Sequence, residues 1–132
     1  MTDRLDAERI RTREALGYKP PHFPLADHYA KDGDEWMYGN LAHEKLTDSG
    51  DWRERIDLRS HRYMMEDVRY GLAFLVSVAE WAGVEAPVAR GLLALGSAVV
   101  GEDFRMTGRT LENLGLAGYS RERMTALLQE GL

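Results

Sequence analysis

The sequence contains no cysteine among its 132 residues. A disulfide framework, a thiolate nucleophile and a cysteine-ligated zinc site are therefore excluded. A chain of this length buries about two-thirds of the surface that its unfolded form exposes, so its core needs neither disulfides nor a metal. We expect residues 1–132 to form a single domain.

Positive charge is also scarce, with 17 Lys and Arg against 22 Asp and Glu and a formal net charge of -5. Binding to nucleic acid needs a cationic surface that neutralises phosphates, so we expect no nucleic-acid partner. The uncharged runs are far shorter than the roughly 20 residues of a membrane-spanning helix. Because the N-terminus is charged and lacks the apolar region of a signal peptide, we expect a cytoplasmic protein with no membrane partner.

The sequence also lacks the short motifs that hold cofactors and metals. None of its 13 glycines belongs to a G-x-G-x-x-G or Walker loop. Position 47, where His43-Glu44 would need a second histidine to bind zinc, is Thr47. Gly118-Tyr119-Ser120 lacks the second glycine of a nucleophile elbow. We therefore expect that this chain binds no cofactor and no metal by itself.

Helical periodicity is present almost throughout, and no segment alternates as a strand does. This pattern predicts an all-α fold, a single compact bundle of about five or six helices. The predicted N-terminal elements are a first helix capped by Thr2 or Asp3 that runs to Leu16 and stops at Gly17, a short helix from Leu25 to Lys31, and a third helix ending near Gly50.

A long central helix is predicted from about Tyr63 to Ala82, followed by a helix from Pro87 to Gly101 and, after a turn-rich segment, by a last helix capped by Ser120. The central helix has two apolar stripes, so we expect it to be buried nearly all round from Leu72 onward. Its first stripe consists of Val68, Leu72, Leu75, Val76 and Ala79, and its second of Phe74, Val78 and Trp81. The expected apolar faces of the two later helices are Val88, Leu92, Leu93, Leu95 and Val99, and then Met124, Leu127 and Leu128.

The segment from Arg62 to Asp67 is polar, although the apolar pattern of the central helix predicts a buried face there. Counting back from Trp81 by threes and fours leads to Asp67, which places a carboxylate on a face that is expected to be buried further along. Two interpretations follow. The acids of a first turn are favoured by the helix dipole, and Arg62 with Glu66 can form a surface pair. Alternatively, Asp67 points into a cleft and orients a histidine, while Arg62 holds a substrate carboxylate through a bidentate fork.

Several segments resemble the opine dehydrogenases, the octopine/nopaline dehydrogenase family. They are His61-Arg62-Tyr63-Met64-Met65-Glu66-Asp67-Val68 with Gly71-Leu72, then Ala82-Gly83-Val84-Glu85-Ala86-Pro87, and Asp103-Phe104-Arg105 through Gly108-Arg109-Thr110-Leu111 to Leu114-Gly115-Leu116. Asp6-Ala7-Glu8-Arg9 with Ala15-Leu16-Gly17 is also similar. The resemblance covers essentially the whole chain and is weakest between residues 20 and 58.

The resemblance implies the C-terminal helical substrate domain of such an enzyme. A separate Rossmann-type domain or subunit would bind NAD or NADP, and the substrates would be an amino acid and a 2-oxo acid such as pyruvate. Carried over to this sequence, Asp67 would pair with the catalytic histidine and Arg62 would bind the oxo-acid carboxylate, with His61, Tyr63 and Glu66 beside the substrate. That histidine lies upstream of the matched region in the family, and no histidine of this chain matches its position.

Two functions therefore remain open. The chain is either the substrate-binding part of an opine dehydrogenase, inactive alone, or a non-catalytic helical module that mediates self-association or another protein–protein interaction. The second possibility rests on the apolar surface that a missing nucleotide domain would leave uncovered. A homo-oligomer is expected in that case.

Overall fold

The computed structural model describes residues 1–29 and 55–131, without the side chains of residues 28 and 29. Regular secondary structure in these residues is entirely helical, which confirms the all-α class. The helices are α1 (Thr2–Ala15), α2 (Leu25–Tyr29), α3 (Tyr63–Leu72 continuing as Ala73–Trp81), α4 (Pro87–Val100), α5 (Phe104–Thr107) and α6 (Arg121–Glu130). The predicted third helix ending near Gly50, and the predicted end of the second at Lys31, lie outside the described residues.

Helix α1 ends where the sequence predicts, because Gly17 adopts the left-handed conformation (φ +87°) that terminates many helices. Its predicted start is wrong in detail. Met1 is the N-cap, and its carbonyl oxygen accepts from the amides of Arg4 and Leu5, both at 3.1 Å. No side chain caps this helix, so neither Thr2 nor Asp3 has the predicted role.

The core lies mainly between α3 and α4, and four of its seven buried residues are alanines. Its buried members are Ala73, Val76, Ala79, Ala86, Ala89, Leu93 and Phe104. Gly96 marks the closest approach, since a Cβ atom there would lie 2.7 Å from Cγ1 of Val68 and 3.2 Å from the sulfur of Met64. The first apolar stripe of the central helix is confirmed, because Val76 and Ala79 are buried and Val68, Leu72 and Leu75 pack against the core.

Helix α1 is fixed to this pair by a buried acid. Glu8 is 2% exposed, and its two carboxylate oxygens accept from the backbone amides of Val88 and Ala89, each at 2.9 Å. These amides belong to the first turn of α4, where no intrahelical partner exists and where the helix dipole favours an anion. Glu8 therefore caps a helix that lies 80 residues further along the chain.

Other predicted apolar positions remain in solvent. Leu95 is 64% exposed, Val99 40% and Leu128 72%, so their predicted burial is wrong. Phe74, from the second stripe of α3, is 38% exposed, so that helix is not buried nearly all round. Leu95 and Val99 lie outside because the buried face of α4 is the one that bears Ala89, Leu93 and Gly96.

The segment between α4 and α6 is turn-rich, as predicted, and contains the short helix α5. Two side chains fix the turn that follows α5. The Ser77 hydroxyl accepts from the amide of Leu111 at 3.1 Å, and the Asn113 side-chain amide donates to the Gly108 carbonyl at 2.8 Å. Ser120 caps α6 as predicted, accepting from the Arg123 amide at 3.2 Å. In the two described stretches, no helix is both long and apolar enough to cross a membrane.

Candidate functional site

The first half of α3, Tyr63–Leu72, is a π-helix, and it contains most of the candidate residues. A π-helix has i→i+5 hydrogen bonds, appears mostly as a single turn, and is frequently found at functional sites. Its exposed residues form one surface, the Arg62–Gly71 face, whose members are Arg62, Tyr63, Glu66, Asp67, Tyr70 and Gly71. The remaining residues of this segment are half-buried and turn toward the core.

The π-helical winding changes the relation between Arg62 and Asp67. In an α-helix, residues five apart are about 140° apart around the axis. With i→i+5 bonding and about 4.4 residues per turn, the same two residues are about 50° apart. Arg62 is the N-cap of this π-helix and has α-type backbone angles (φ -52°, ψ -39°), so the π-helical winding covers the steps from Tyr63 to Asp67. This winding favours a common side of the helix for Arg62 and Asp67, and both residues are exposed.

His61 and Arg62 both contact the ring of Tyr63. The imidazole and phenol ring centroids are 4.8 Å apart, and the Arg62 guanidinium carbon lies 5.4 Å from the phenol centroid. His61 also accepts from the Tyr63 amide through Nδ1 at 3.3 Å. Tyr63 is 58% exposed, so this group of side chains is open to solvent and accessible to a ligand.

The turn before α3 is held by Asp57. Its carboxylate accepts from the Arg59 amide at 3.1 Å and from the Ser60 hydroxyl at 2.9 Å, and its carbonyl oxygen accepts from the His61 amide at 2.8 Å. The hydrogen bond from the Arg59 amide, aided by that from Ser60, holds the pKa of Asp57 below its ordinary value. This turn fixes the direction from which the chain reaches His61 and Arg62.

The expectation that Asp67 continues a buried face is wrong. Glu66 and Asp67 are exposed, and so are Gly71 and Phe74 further along. Among the described residues, neither acid has a hydrogen-bond or ion-pair partner, so the surface pair between Arg62 and Glu66 is not formed. The core face of α3 is instead the one that bears Val76 and Ala79.

Tyr70 connects this surface to a residue that sequence reasoning did not assign to the site. The guanidinium carbons of Arg69 and Arg109 lie 5.7 and 5.5 Å from the Tyr70 ring centroid. Gly108 permits this approach, since a Cβ atom there would collide with the backbone oxygen of Arg69. No local pattern could have identified Arg109, because it lies 39 positions after Tyr70 in the sequence.

Within residues 1–29 and 55–131, the side chains form neither a metal site nor a dinucleotide site. No cluster of three or more His, Asp or Glu residues in these ranges could hold a metal ion. The same residues contain no strand, and the sequence has no G-x-G-x-x-G, so none of them forms the strand–turn–helix that binds a dinucleotide. The described residues therefore do not fit NAD or NADP.

An apolar groove of about 650 Å³ lies beside the C-terminal half of α3. The second stripe of α3 forms one wall, α6 and the turn before it form another, and residues 16–18 after α1 also line the groove. Representative lining residues are Phe74, Val78, Trp81, Leu114 and Leu128. The indole Nε1 of Trp81 donates to the Tyr119 carbonyl at 3.0 Å, which fixes this residue between the two walls.

Comparison with known proteins identifies the family. Residues 1–100 match the family model described as NAD/NADP octopine/nopaline dehydrogenase, alpha-helical domain. The chain belongs to this family, and the resemblance noted in the sequence is confirmed.

Two curated relatives match most of the chain. A vitopine synthase of Allorhizobium ampelinum is 38% identical over 126 residues, which cover 94% of this chain and 34% of that protein. An opine dehydrogenase of Arthrobacter sp. is 31% identical over 127 residues, which cover 91% of this chain and 33% of that protein. The chain thus spans about a third of the length of these relatives.

Proposed function

We propose that this chain supplies the helical substrate-binding domain of an opine dehydrogenase, which joins an amino acid to a 2-oxo acid such as pyruvate. The observation that carries the proposal is the Arg62–Gly71 face, on which an arginine and a carboxylate are both exposed in a member of this family. The described part of the chain leaves both groups uncovered, as substrate residues at a domain boundary would be.

In this reaction, the amino nitrogen attacks the carbonyl carbon of the oxo acid and water leaves, which forms a C=N bond. A hydride is then added to the imine carbon and a proton to the nitrogen. The hydride is supplied by NADH or NADPH, which a Rossmann-type domain or subunit would hold. We assign no step of hydride transfer to the described residues, because they do not fit a dinucleotide.

Arg62 would bind the carboxylate of the 2-oxo acid. Its guanidinium lies over the Tyr63 ring and has no acidic partner among the described residues, so its N–H donors are available to a ligand. A guanidinium matches a carboxylate with two parallel hydrogen bonds, which orients the oxo acid as well as binding it. Tyr63, His61 and Glu66 would line the same site.

Asp67 would orient a histidine from outside this chain that acts as general acid and base. A carboxylate beside an imidazole fixes the tautomer and stabilises the protonated ring. Asp67 is exposed, so its negative charge is available to neutralise the imidazolium. The π-helical winding supports this role because it favours a common side of the helix for Asp67 and Arg62.

Reconstitution tests this proposal. The purified chain is mixed with a Rossmann-type dinucleotide-binding domain, such as one encoded beside it, and NADH oxidation is followed with an amino acid and pyruvate. We expect oxidation only when both parts and both substrates are present. Absence of oxidation with every such domain would contradict the proposal.

Arg62→Gln provides the residue-level test in the reconstituted enzyme. Loss of a charge-assisted hydrogen bond is worth about 1.5–3 kcal/mol, so KM for the oxo acid should rise roughly 10- to 100-fold. KM for the amino acid should change much less. The matched control is Arg59→Gln, which removes the same charge from the turn preceding α3 and should leave both constants unchanged. Equal behaviour of the two variants would refute the role of Arg62.

A second function, self-association as a non-catalytic module, is favoured by one observation. The apolar groove beside α3 is open, and Leu114 and Leu128 at its walls are 48% and 72% exposed. A second copy of the chain could cover this surface. Sedimentation equilibrium would distinguish the two cases: a concentration-dependent dimer that Leu128→Glu abolishes supports self-association, and a monomer at all concentrations contradicts it.

A further inference from the structure

Arg109 presents an unneutralised guanidinium beside the Arg62–Gly71 face. Both Arg69 and Arg109 lie against the Tyr70 ring, but only Arg69 is matched by protein groups, Glu102 at 3.4 Å and the Thr107 carbonyl at 3.3 Å. Among the described residues, Arg109 has no acidic partner. Its side chain is exposed while its contact with Tyr70 limits the directions in which it can point.

The backbone of Arg109 is fixed from two sides. Its amide donates to the Arg69 carbonyl at 3.4 Å, and the preceding carbonyl, that of Gly108, accepts from the Asn113 side chain at 2.8 Å. Gly108 itself is buried against the backbone of α3. A cation held by an ordered backbone and an aromatic platform loses less freedom on binding an anion than a free surface arginine does.

We propose that Arg109 binds the carboxylate of the amino-acid substrate, an inference that rests on the proposed function. The product of the reaction carries two carboxylates, one on each side of the new C–N bond. If Arg62 holds the one from the oxo acid, the other needs its own cation. The residues follow in this order along α3: Arg62, then Asp67 at the site of proton transfer, then Tyr70 with Arg109.

The spacing along the helix suits such a substrate. Arg109 hydrogen-bonds at the level of Arg69, which is seven residues from Arg62 and therefore at most about 10 Å along the axis. Two extended arginine side chains can converge across this distance on carboxylates that are separated by a single amine nitrogen. Along the helix axis, Asp67 falls between Arg62 and the level of Arg69.

A cofactor phosphate is the other anion that Arg109 could meet, and the structure favours a carboxylate. Phosphates are typically held by helix N-termini and glycine loops, and the described residues around Arg109 provide neither. The guanidinium fork fits a carboxylate and a phosphate alike, so it is the surroundings of Arg109 that favour the carboxylate.

The test is steady-state kinetics of Arg109→Gln in the complete enzyme, that is, this chain together with its Rossmann-type dinucleotide-binding domain. The amino acid, the oxo acid and NAD(P)H are varied in turn. KM for the amino acid should rise about 10- to 100-fold, while KM for the oxo acid and for NAD(P)H should stay within about threefold. Arg109→Lys keeps the charge but not the fork, so we expect a smaller rise. Arg123→Gln is the matched control, because Arg123 also stacks on a tyrosine, Tyr119, at 3.8 Å, but lies on α6.

Unchanged kinetics in Arg109→Gln, with a raised KM for the oxo acid in Arg62→Gln, would overturn this inference and leave the proposed function in place. A raised KM for NAD(P)H alone would also overturn it, by placing Arg109 at a cofactor phosphate. If Arg62→Gln and Arg109→Gln were both without effect, the proposed function would fail as well. Equal urea midpoints of variant and parent would show that a change in KM is not caused by a loss of folding.

Discussion

The carboxylate of Glu8 receives the amide hydrogens of Val88 and Ala89, so a charged side chain from the first helix forms the cap of the fourth. This contact is buried, and the two amides are the donors that a helix start leaves without partners. The N-terminal helix, whose own apolar face is thin, is thereby attached to the α3–α4 pair by a polar contact as well as by the packing of Leu5.

Replacing Glu8 by Ala should destabilise the fold by about 2–4 kcal/mol, because the amides of Val88 and Ala89 lose their buried acceptor. Glu8→Gln keeps one acceptor oxygen and should be less harmful. Urea unfolding followed by circular dichroism measures both. The control is Glu14→Gln on the same helix, where the side chain is 57% exposed and a change within about 0.5 kcal/mol is expected. Equal losses in Glu8→Ala and Glu14→Gln would refute the capping role.

Two glycines of α4 should respond to alanine in opposite directions. Gly96→Ala places a methyl group against Val68 and Met64, so overpacking should destabilise the protein by about 1–3 kcal/mol. Gly91→Ala meets open space in the same helix and should stabilise it by up to about 1 kcal/mol. Thermal unfolding of the pair tests the close approach of α3 and α4. A stabilising Gly96→Ala would contradict it.

Acid should weaken the contact between α3 and α5. Hydrogen bonds from Arg105 to both carboxylate oxygens of Glu80, at 3.0 and 2.7 Å, hold the pKa of Glu80 below its ordinary value of 4.5, and the charge of Arg90 adds to this effect. A lowered pKa in the folded state contributes stability above the unfolded pKa, and this stability is lost as the pH falls through the lower value.

The stability difference between the parent and Arg105→Gln should therefore be largest above about pH 4.5, at up to about 1 kcal/mol for so exposed a pair. It should shrink as the pH falls further. Urea midpoints between neutral and acidic pH give this difference directly. Arg123→Gln, which removes an arginine that lies against Tyr119, is the control for the loss of one positive charge. A difference that does not narrow in acid would rule out the linkage to Glu80.

The features predicted correctly from sequence are those that local chemistry determines. Gly17 and Gly101 end helices because they adopt positive φ, Pro87 occupies the first position of α4, and Ser120 caps α6. The first stripe of α3 was also identified, because spacings of three and four residues produce one apolar face in an α-helix. Each of these signals lies within a few neighbouring residues.

The features that were missed depend on contacts between distant segments. The π-helical winding of Tyr63–Leu72 is not encoded by a residue spacing, since polar and apolar residues there also fit an α-helix. From the sequence alone, Glu8 cannot be distinguished from the other charged residues of α1, because its partners lie on α4. The same holds for Arg109, which only the fold brings beside Tyr70. Arg62 and Asp67 could be proposed as a pair, but their positions on one face follow from the winding alone.

The most direct test of the account is the effect of Asp67→Asn on the turnover and pH profile of the complete enzyme. If Asp67 orients and stabilises a catalytic histidine, kcat should fall about 100-fold or more, and the pH profile of kcat/KM should shift to lower pH because the imidazolium loses its counter-ion. Asp27→Asn, the same change at an exposed aspartate of α2, should leave kcat within about twofold of the parent and the pH profile unshifted. An Asp67→Asn enzyme with the parent kcat and the parent pH profile would contradict the account.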